Sequence, residues 1–270
     1  MKNIYSPNNI RLMKNPHISV VVTTHLRAQL LVRALNSLLL QTYQDFEIIV
    51  VSDVFDLDTL DIIKSTLRHT DTLIMNPKLI GPSESRNIGA AVAQGTWILF
   101  LDDDDALEKE CLENFITQEN LNSSDVYFTD YIKIVENRAT SKILSTEQGK
   151  IGAFEFSSIL YRNYIPNSCI ILRADIARKT HFDSRLDSHE DWDWLINLGR
   201  TTTFKHLPFI GPIIYEDLSD SRNQKAKDSK EIAYDYLSIY RKWRTSDLRI
   251  TRLRCETLKK LGLPVDEKFL

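Results

Sequence analysis

The sequence predicts an α/β protein with a mostly parallel central sheet and helices on both faces. Three observations predict it. Short apolar runs rich in β-branched residues alternate with longer segments of helical spacing as far as about residue 120. The runs are apolar throughout, as strands covered on both faces are. Eight glycines in 270 residues is too few for a Gly-rich all-β chain.

The first strand is expected in "HISVVVTT", His17 to Thr24. "AQLLVRALNSLLLQTY" follows, with Leu31, Ala34, Leu35 and Leu38 on one helical face. "FEIIVVSD", Phe46 to Asp53, is the second strand. The helix "DTLDIIKSTLRHT" has Asp58 as its N-cap, with Asp61 three residues on in a capping-box arrangement. "DTLIMN" is the third strand, and "SESRNIGAAVAQG" a helix stopped by Gly95. "TWILFL" is the fourth strand, and "ALEKECLENFITQEN" the helix after it. Beyond that the pattern loosens. "DVYFTDYIKIV" and "IGPIIYEDL" suit strands, "NYIPNSCIILRADIARKT" a strand running into a helix, and "HEDWDWLINLGR" a helix with an acidic start.

Bulk properties exclude several classes. The net charge of −3 is not that of a polycation made for nucleic acid. Cys111, Cys169 and Cys255 are odd in number and far apart, without zinc-finger spacing, so a reduced cytosolic setting is expected. The N-terminus lacks a signal-peptide core, and no window approaches the ~18 apolar residues that span a bilayer.

Ligands of such sheets sit beyond the carboxyl ends of the strands. Those ends carry Thr23-Thr24-His25, Ser52-Asp53 and the run Asp102–Asp105. In continued extended geometry Asp102 and Asp104 share a face and Asp103 points elsewhere. Two carboxylates at a strand end suit a hard divalent cation, whose charge offsets their repulsion. Asp105 fits a capping box with Glu108. Taken alone, the run is equally a solvated loop with a helix cap. Arg86 and Asn87 begin a helix where a phosphate would be welcome, although an isolated Arg is ordinarily a surface residue. Glu190 and Asp191 open a helix as dipole partners or supply a general base. Trp192 and Trp194 are core residues or the walls of a sugar site.

These stretches, in this order, resemble the inverting glycosyltransferases of the GT-A fold, family 2, common in bacterial capsule, lipopolysaccharide and teichoic-acid clusters. The resemblance runs over residues 17 to 215 and rests on "ISVVVTTHLRAQLLVRALNSLLLQTYQDFEIIVVSD", "GPSESRNIGAAVAQGTWILFLDDDDAL" and "NYIPNSCIILRADIARKTHFDSRLDSHEDWDWLINLG". It implies a metal-dependent transfer of sugar from a nucleoside-diphosphate donor, UDP-linked, to a hydroxyl of a glycan or lipid-linked acceptor. Thr23, Thr24, His25 and Arg27 would pack on the nucleotide, Asp53 would bond the uracil ring, and Arg86 would help bind the nucleotide. Asp102 and Asp104 would form the D-x-D pair, with Asp104 on Mn²⁺ or Mg²⁺ and Asp102 or Asp103 near the ribose or the metal's water. Asp191 would be the base, with Glu190 beside it.

The chain departs from the family in three places. "TTHLR" replaces "PTYNR", so His25 stands where an aromatic often stacks on uracil. "VFDLD" replaces the turn after Asp53. "IIYEDLSDSRN" lacks the family's late metal-binding His, leaving His206 and Asp217 as nearby candidates. A nucleotidyltransferase of the same fold is the alternative, but "TTHLRAQ" lacks the glycines of its loop; a non-catalytic sugar-nucleotide or glycan-binding module is another.

The expected division is a lead over 1–16, the GT-A domain over 17–222 and a basic helical extension over 223–270. From Arg241 to Lys260 the extension carries eight Lys and Arg beside an apolar stripe. A peripheral contact with an anionic membrane is one reading. Packing on the chain's own domain or on a dimer partner, with a solvated basic face, is the other.

Overall fold

A computed structural model describes residues 3–5, 16–118, 121, 123–186, 188–219 and 229–270. Its first half contains strands β1 (Asn3–Tyr5), β2 (Ile18–Thr24), β3 (Phe46–Ser52), β4 (Thr72–Met75), β5 (Trp97–Asp102) and β6 (Ala106–Leu107), with helices α1 (Ala28–Leu39), α2 (Leu57–Thr66), α3 (Gly81–Val92) and α4 (Cys111–Ile116). The second half adds strands β7 (Val126–Asn137), β8 (Lys142–Gly149), β9 (Ile170–Arg173) and β10 (Phe204–Asp217). Its helices are α5 (Phe156–Ile159), α6 (Ala174–Ala177), α7 (Glu190–Gly199), α8 (Ser229–Lys242) and α9 (Leu248–Lys260).

One sheet runs in the order β1-β4-β3-β2-β5-β9-β7-β10-β6, with β8 beside β7. β4, β3, β2 and β5 are parallel, as the strand–helix alternation requires. β9 then enters antiparallel between β5 and β7, and β10 lies parallel to β7. The lead supplies β1, antiparallel to β4 at the sheet edge.

Every residue of β2 is buried, and its side chains alternate between two cores. Ile18, Val20 and Val22 pack with Leu31, Leu35 and Leu38 of α1 on one face. Val21 packs on the other with Ile88, Phe100 and the aromatic residues of α7.

Some local expectations need correction. Asp56, not Asp58, caps α2: its carboxylate accepts from Thr59 N at 3.0 Å, because the helix starts one residue before Asp58. α3 begins at Gly81 and ends at Val92, so Gly95 does not stop it and Arg86 lies in its interior. Gly95 serves close packing instead. A Cβ there would lie 2.6 Å from the Ser19 backbone nitrogen, and the Gly95 N–H donates to Ser19 Oγ. The helix expected from Ala106 starts only at Cys111, because Ala106–Leu107 pairs with β10. The extension is two helices, α8 and α9; its expected start at residue 223 lies outside the described residues. Ile239, Tyr240, Ile250 and Leu258 are buried, whereas Arg241, Arg244, Arg249, Arg252, Lys259 and Lys260 are exposed. Among the described residues no helix is long and apolar enough to cross a membrane.

Gly95→Ala is expected to lose ~2 kcal/mol of stability by overpacking against the backbone of β2. Urea denaturation of both proteins measures it; an unchanged midpoint would show that the contact yields.

Candidate functional site

β3 and β4 lie on one side of β2 and β5 lies on the other, so the chain reverses its winding between β2 and β5. A parallel sheet opens a crevice at the carboxyl ends of such a pair. Thr23, near the end of β2, pairs with Asp102 at the end of β5. A cavity of about 600 Å³ stands there. Thr23, Arg27, Arg86, Asp102, Asp104 and Glu190 line its near side, and Arg138, Tyr215 and Asp217 its far side. A second cavity of about 470 Å³ shares Thr23, Arg27 and Pro82 with the first and adds Thr24, His25 and Asp53. The loop carrying His25 is held by Asp53, whose Oδ1 is 2.7 Å from His25 Nδ1. Of the residues that the resemblance assigns to the nucleotide, the metal and the base, all except Asp103 and Asp191 therefore line one of two joined cavities.

The four aspartates meet different donors, except that Asp103 and Asp104 share Arg27. The chain turns after Asp102, and Asp105 N donates to the Asp102 carbonyl at 3.1 Å, so strand parity does not extend to Asp104. Asp102 and Asp104 still reach the same cavity, through the turn. Asp102 accepts from Arg86 Nη2 at 2.8 Å, and Asp104 from Arg27 Nη1 at 3.0 Å. Asp103 is fully buried against Arg27, 2.5 Å away; burial still pushes its pKa up to about 6 against the pull of that arginine. Asp105 is not a helix cap. It is buried and accepts from Ser168 Oγ at 2.7 Å and Tyr215 N at 3.2 Å, joining the turn to β10. Burial, then Asp102 and Asp104, raise its pKa well above the ordinary carboxylate value.

Arg86 is 5% exposed and donates through Nη1 to Glu190 at 2.7 Å as well as to Asp102. It binds two carboxylates across the site, a buried role that an isolated Arg rarely has. Asn87, expected beside it at a phosphate, is occupied with the Phe182 backbone.

Glu190, Asp191 and Asp193 fill the first turn of α7, where the helix dipole favours negative charge. Asp191 accepts from its neighbour Trp192 N at 2.7 Å and from Asn163 Nδ2 at 2.9 Å. Burial, and then Glu190, raise its pKa, with Arg86 opposing. Trp192 and Trp194 are core residues, with indole N–H groups on the carbonyls of Ile159 and Thr180; neither walls a sugar site.

Of the two spare metal-ligand candidates, His206 turns away to bond Asp130 at 2.8 Å and packs on Phe128, while Asp217 lines the larger cavity. Among the described residues no group of three or more His, Cys, Asp or Glu is placed to hold an ion. Apart from Asp217, the far wall was not anticipated from the sequence. Arg138 joins Glu136 and approaches Asp104 at 3.8 Å; Arg33 makes a two-pronged pair with Glu136 and lies over the Tyr215 ring. Nothing local marks these residues, which meet only when α1, β7 and β10 come together.

Residues 19–172 match the family model described as glycosyl transferase family 2. The chain belongs to glycosyl transferase family 2. The match covers more than half of this glycosyltransferase and spans both β2 and β5. The amylovoran biosynthesis glycosyltransferase AmsB of Erwinia amylovora is 25% identical over 95% of this chain and 86% of its own length. Among solved structures, S. aureus TarS 1–349 in complex with UDP-GlcNAc superposes with a TM-score of 0.68 at 19% identity, over 89% of this chain and 71% of that one. Against a longer TarS chain the match covers 90% of this chain and 43% of that one. The mannosyltransferase PcManGT of Pyrobaculum calidifontis, in complex with GDP-Man and Mn²⁺, gives 0.62 at 12% identity over 92% and 74%. At these identities the structures establish a shared GT-A fold. Family membership sets aside the nucleotidyltransferase alternative.

Asp105 yields a stability prediction. A carboxyl whose pKa is raised on folding contributes stability that is fully present below its unfolded value, near 3.8, and lost as pH rises through the folded value. Asp105→Asn keeps an acceptor for Tyr215 N and removes that loss. Its stability relative to the parent is therefore expected to improve as pH rises from 4 toward 8. Asp105→Ala strands Tyr215 N and Ser168 and is expected to cost ~1–3 kcal/mol. Chemical denaturation across that range checks both.

Proposed function

We propose that this glycosyltransferase moves a sugar from a UDP-sugar to a hydroxyl of a glycan or lipid-linked acceptor, with inversion, in surface-polysaccharide assembly. The observation that carries the reading is the pair of joined cavities at the β2–β5 reversal. The smaller, with His25 and Asp53, suits a nucleoside; the larger, with the arginines and carboxylates, suits a diphosphate and sugar. The UDP-GlcNAc complex of TarS supports a uridine donor, and the role named for AmsB supports polysaccharide assembly.

In the nucleoside cavity, Asp53 would accept from the imide N–H of uracil while His25, held by Asp53, offers its ring face. Thr23, Thr24 and Arg27 would border the ribose and the diphosphate, and Asp103 fixes Arg27 from beneath. The donor chemistry of Asp102 and Asp104 fits Mn²⁺ or Mg²⁺: both are carboxylates open to one cavity, with lone pairs beyond those used by the arginines. Such an ion, when bound, neutralises charge on the departing diphosphate.

Asp191 would take the proton of the attacking hydroxyl. Its raised pKa makes it a stronger base than an ordinary aspartate, and its oxygens keep lone pairs beyond the two hydrogen bonds they accept. Glu190, tied to Arg86, would sit beside the sugar. One base and one displacement invert the anomeric carbon, whereas double-displacement glycosidases need a second carboxylate as nucleophile.

Thermal shift with UDP, GDP, UDP-GlcNAc and GDP-Man, each with and without Mn²⁺, is expected to show metal-dependent stabilisation by the uridine compounds. No shift with any of them counts against the whole reading, and a shift with GDP alone reassigns the nucleotide.

Asp191→Asn is expected to lower turnover at least ~100-fold and to leave the UDP thermal shift intact. Because the base acts deprotonated and its pKa is raised, the parent's turnover should fall, as pH drops, at a pH above the ordinary aspartate value. Retained turnover in the variant would place the base elsewhere.

A further inference from the structure

The first turn of α7 is gripped by a segment that belongs to no regular element. Residues 160–163 follow the four-residue helix α5 and lead to the loop before β9. Three successive carbonyls at the end of α5 each accept from a distant side chain. Ile159 O takes Trp192 Nε1 at 2.6 Å, Leu160 O takes Arg254 Nε at 2.8 Å, and Tyr161 O takes Tyr240 Oη at 2.7 Å. Two of these donors come from α8 and α9.

Arg254 is fully buried and also donates to the carbonyls of Tyr240 and Trp243 at the end of α8, where a cation is favoured. Its guanidinium lies over the Tyr240 ring. Burial lowers its pKa to about 10, which leaves it charged at neutral pH. These contacts fix the backbone that carries Asn163.

The orientation of the Asn163 amide is settled by its own partners. Its oxygen accepts from Ile165 N at 3.2 Å, so its NH₂ is the end that meets Asp191 Oδ2 at 2.9 Å. We infer that Asn163 is a positioning residue for Asp191, and that α8 and α9 set this contact by holding the carbonyls of residues 160 and 161. The C-terminal helices thereby take part in building the reaction site. The inference rests on Asp191 being the base.

The charged and titratable groups facing Asp191 are Glu190 on its own helix, Arg86 from α3, His189 before the helix and Tyr236 from α8. Asn163 adds a neutral donor. A donor to a carboxylate favours its charged form, so its removal raises proton affinity.

The experiment is a ¹³C NMR titration of aspartate side-chain carboxyls in the full chain, with the Asp191 signal assigned by its absence in Asp191→Asn. Asn163→Ala is expected to raise the Asp191 midpoint by about one pH unit, a tenfold change in proton affinity. Asn163→Asp keeps the shape, places a carboxylate against a carboxylate and should raise it further. Tyr240→Phe keeps the ring, loses the hydroxyl that bonds Tyr161 O and meets the Thr257 side chain, and should move the midpoint in the same direction by less. An unmoved Asp191 midpoint in folded Asn163→Ala, or in Asn163→Asp where the alanine variant does not fold, overturns the inference. A moved midpoint together with full turnover in Asp191→Asn would leave the positioning intact and remove the base.

Discussion

The site depends on one buried cation. Arg86 projects from the interior of α3 and holds Asp102 at the end of β5 and Glu190 at the start of α7. Burial works against its charge, but the two carboxylates more than offset this, and its pKa moves up. Removing one partner of such a buried pair costs ~3–5 kcal/mol, because the charge left behind has no water. The strand end that would face the donor diphosphate and the helix start that would face the acceptor are therefore fixed to each other through one guanidinium. Phe182 closes over the same group, 5.3 Å from its ring centre, and helps keep water out.

The aspartate run is stable for a related reason. Four adjacent carboxylates in a straight strand would repel one another, but the turn after Asp102 separates them in space. Asp102 then meets Arg86, Asp103 and Asp104 share Arg27, with Arg138 at longer range from Asp104, and Asp105 meets Ser168 and Tyr215 N. The arginines around the turn are themselves fixed. Arg33 and Arg138 share Glu136, and Arg138 approaches Asp217. Compensation is least for Asp105, whose buried carboxyl has hydrogen bonds but, among the described residues, no cation in contact, and its proton affinity rises accordingly.

Much of this was legible in the sequence. The apolar runs from Ile18 to Leu101 located the parallel strands, and their polar ends located the cavity. The run Asp102–Asp105 could not be resolved by periodicity, because strand parity stops at the turn. Asp58 and Asp105 both satisfied capping patterns that the backbone did not use: one helix began earlier than expected, and the other began later, after a short strand. Arg86 looked like a surface residue because its partners are 16 and 104 positions away. Arg33, Glu136, Arg138 and Asn163 gave no local signal at all. Their roles arise from pairings between β7, β10, α1 and α7, which a single sequence does not display. The basic tail was ambiguous for the same reason: Arg254 and Arg252 look alike in sequence, yet one is the centre of a buried hydrogen-bond set and the other is exposed.

Backbone strain is concentrated where these fixed points meet. Three non-glycine residues have left-handed φ among the described residues, and two of them, Leu26 at 48° and His189 at 56°, flank the site. Such a conformation costs about 1–3 kcal/mol and persists only where neighbouring contacts over-determine it. On both sides they do. Leu26 lies between His25, bound to Asp53, and Arg27, bound to Asp103 and Asp104. His189 follows Ser188, whose hydroxyl donates to Asp235 of α8 at 2.6 Å, and precedes Glu190, held by Arg86. A tight bend is thus anchored at each end by side chains from other elements. The wall that would face the nucleoside is held by the parallel sheet, and the helix that would carry the base by the C-terminal pair, so the stiffness of the proposed site comes from two separate parts of the chain joined at Arg86.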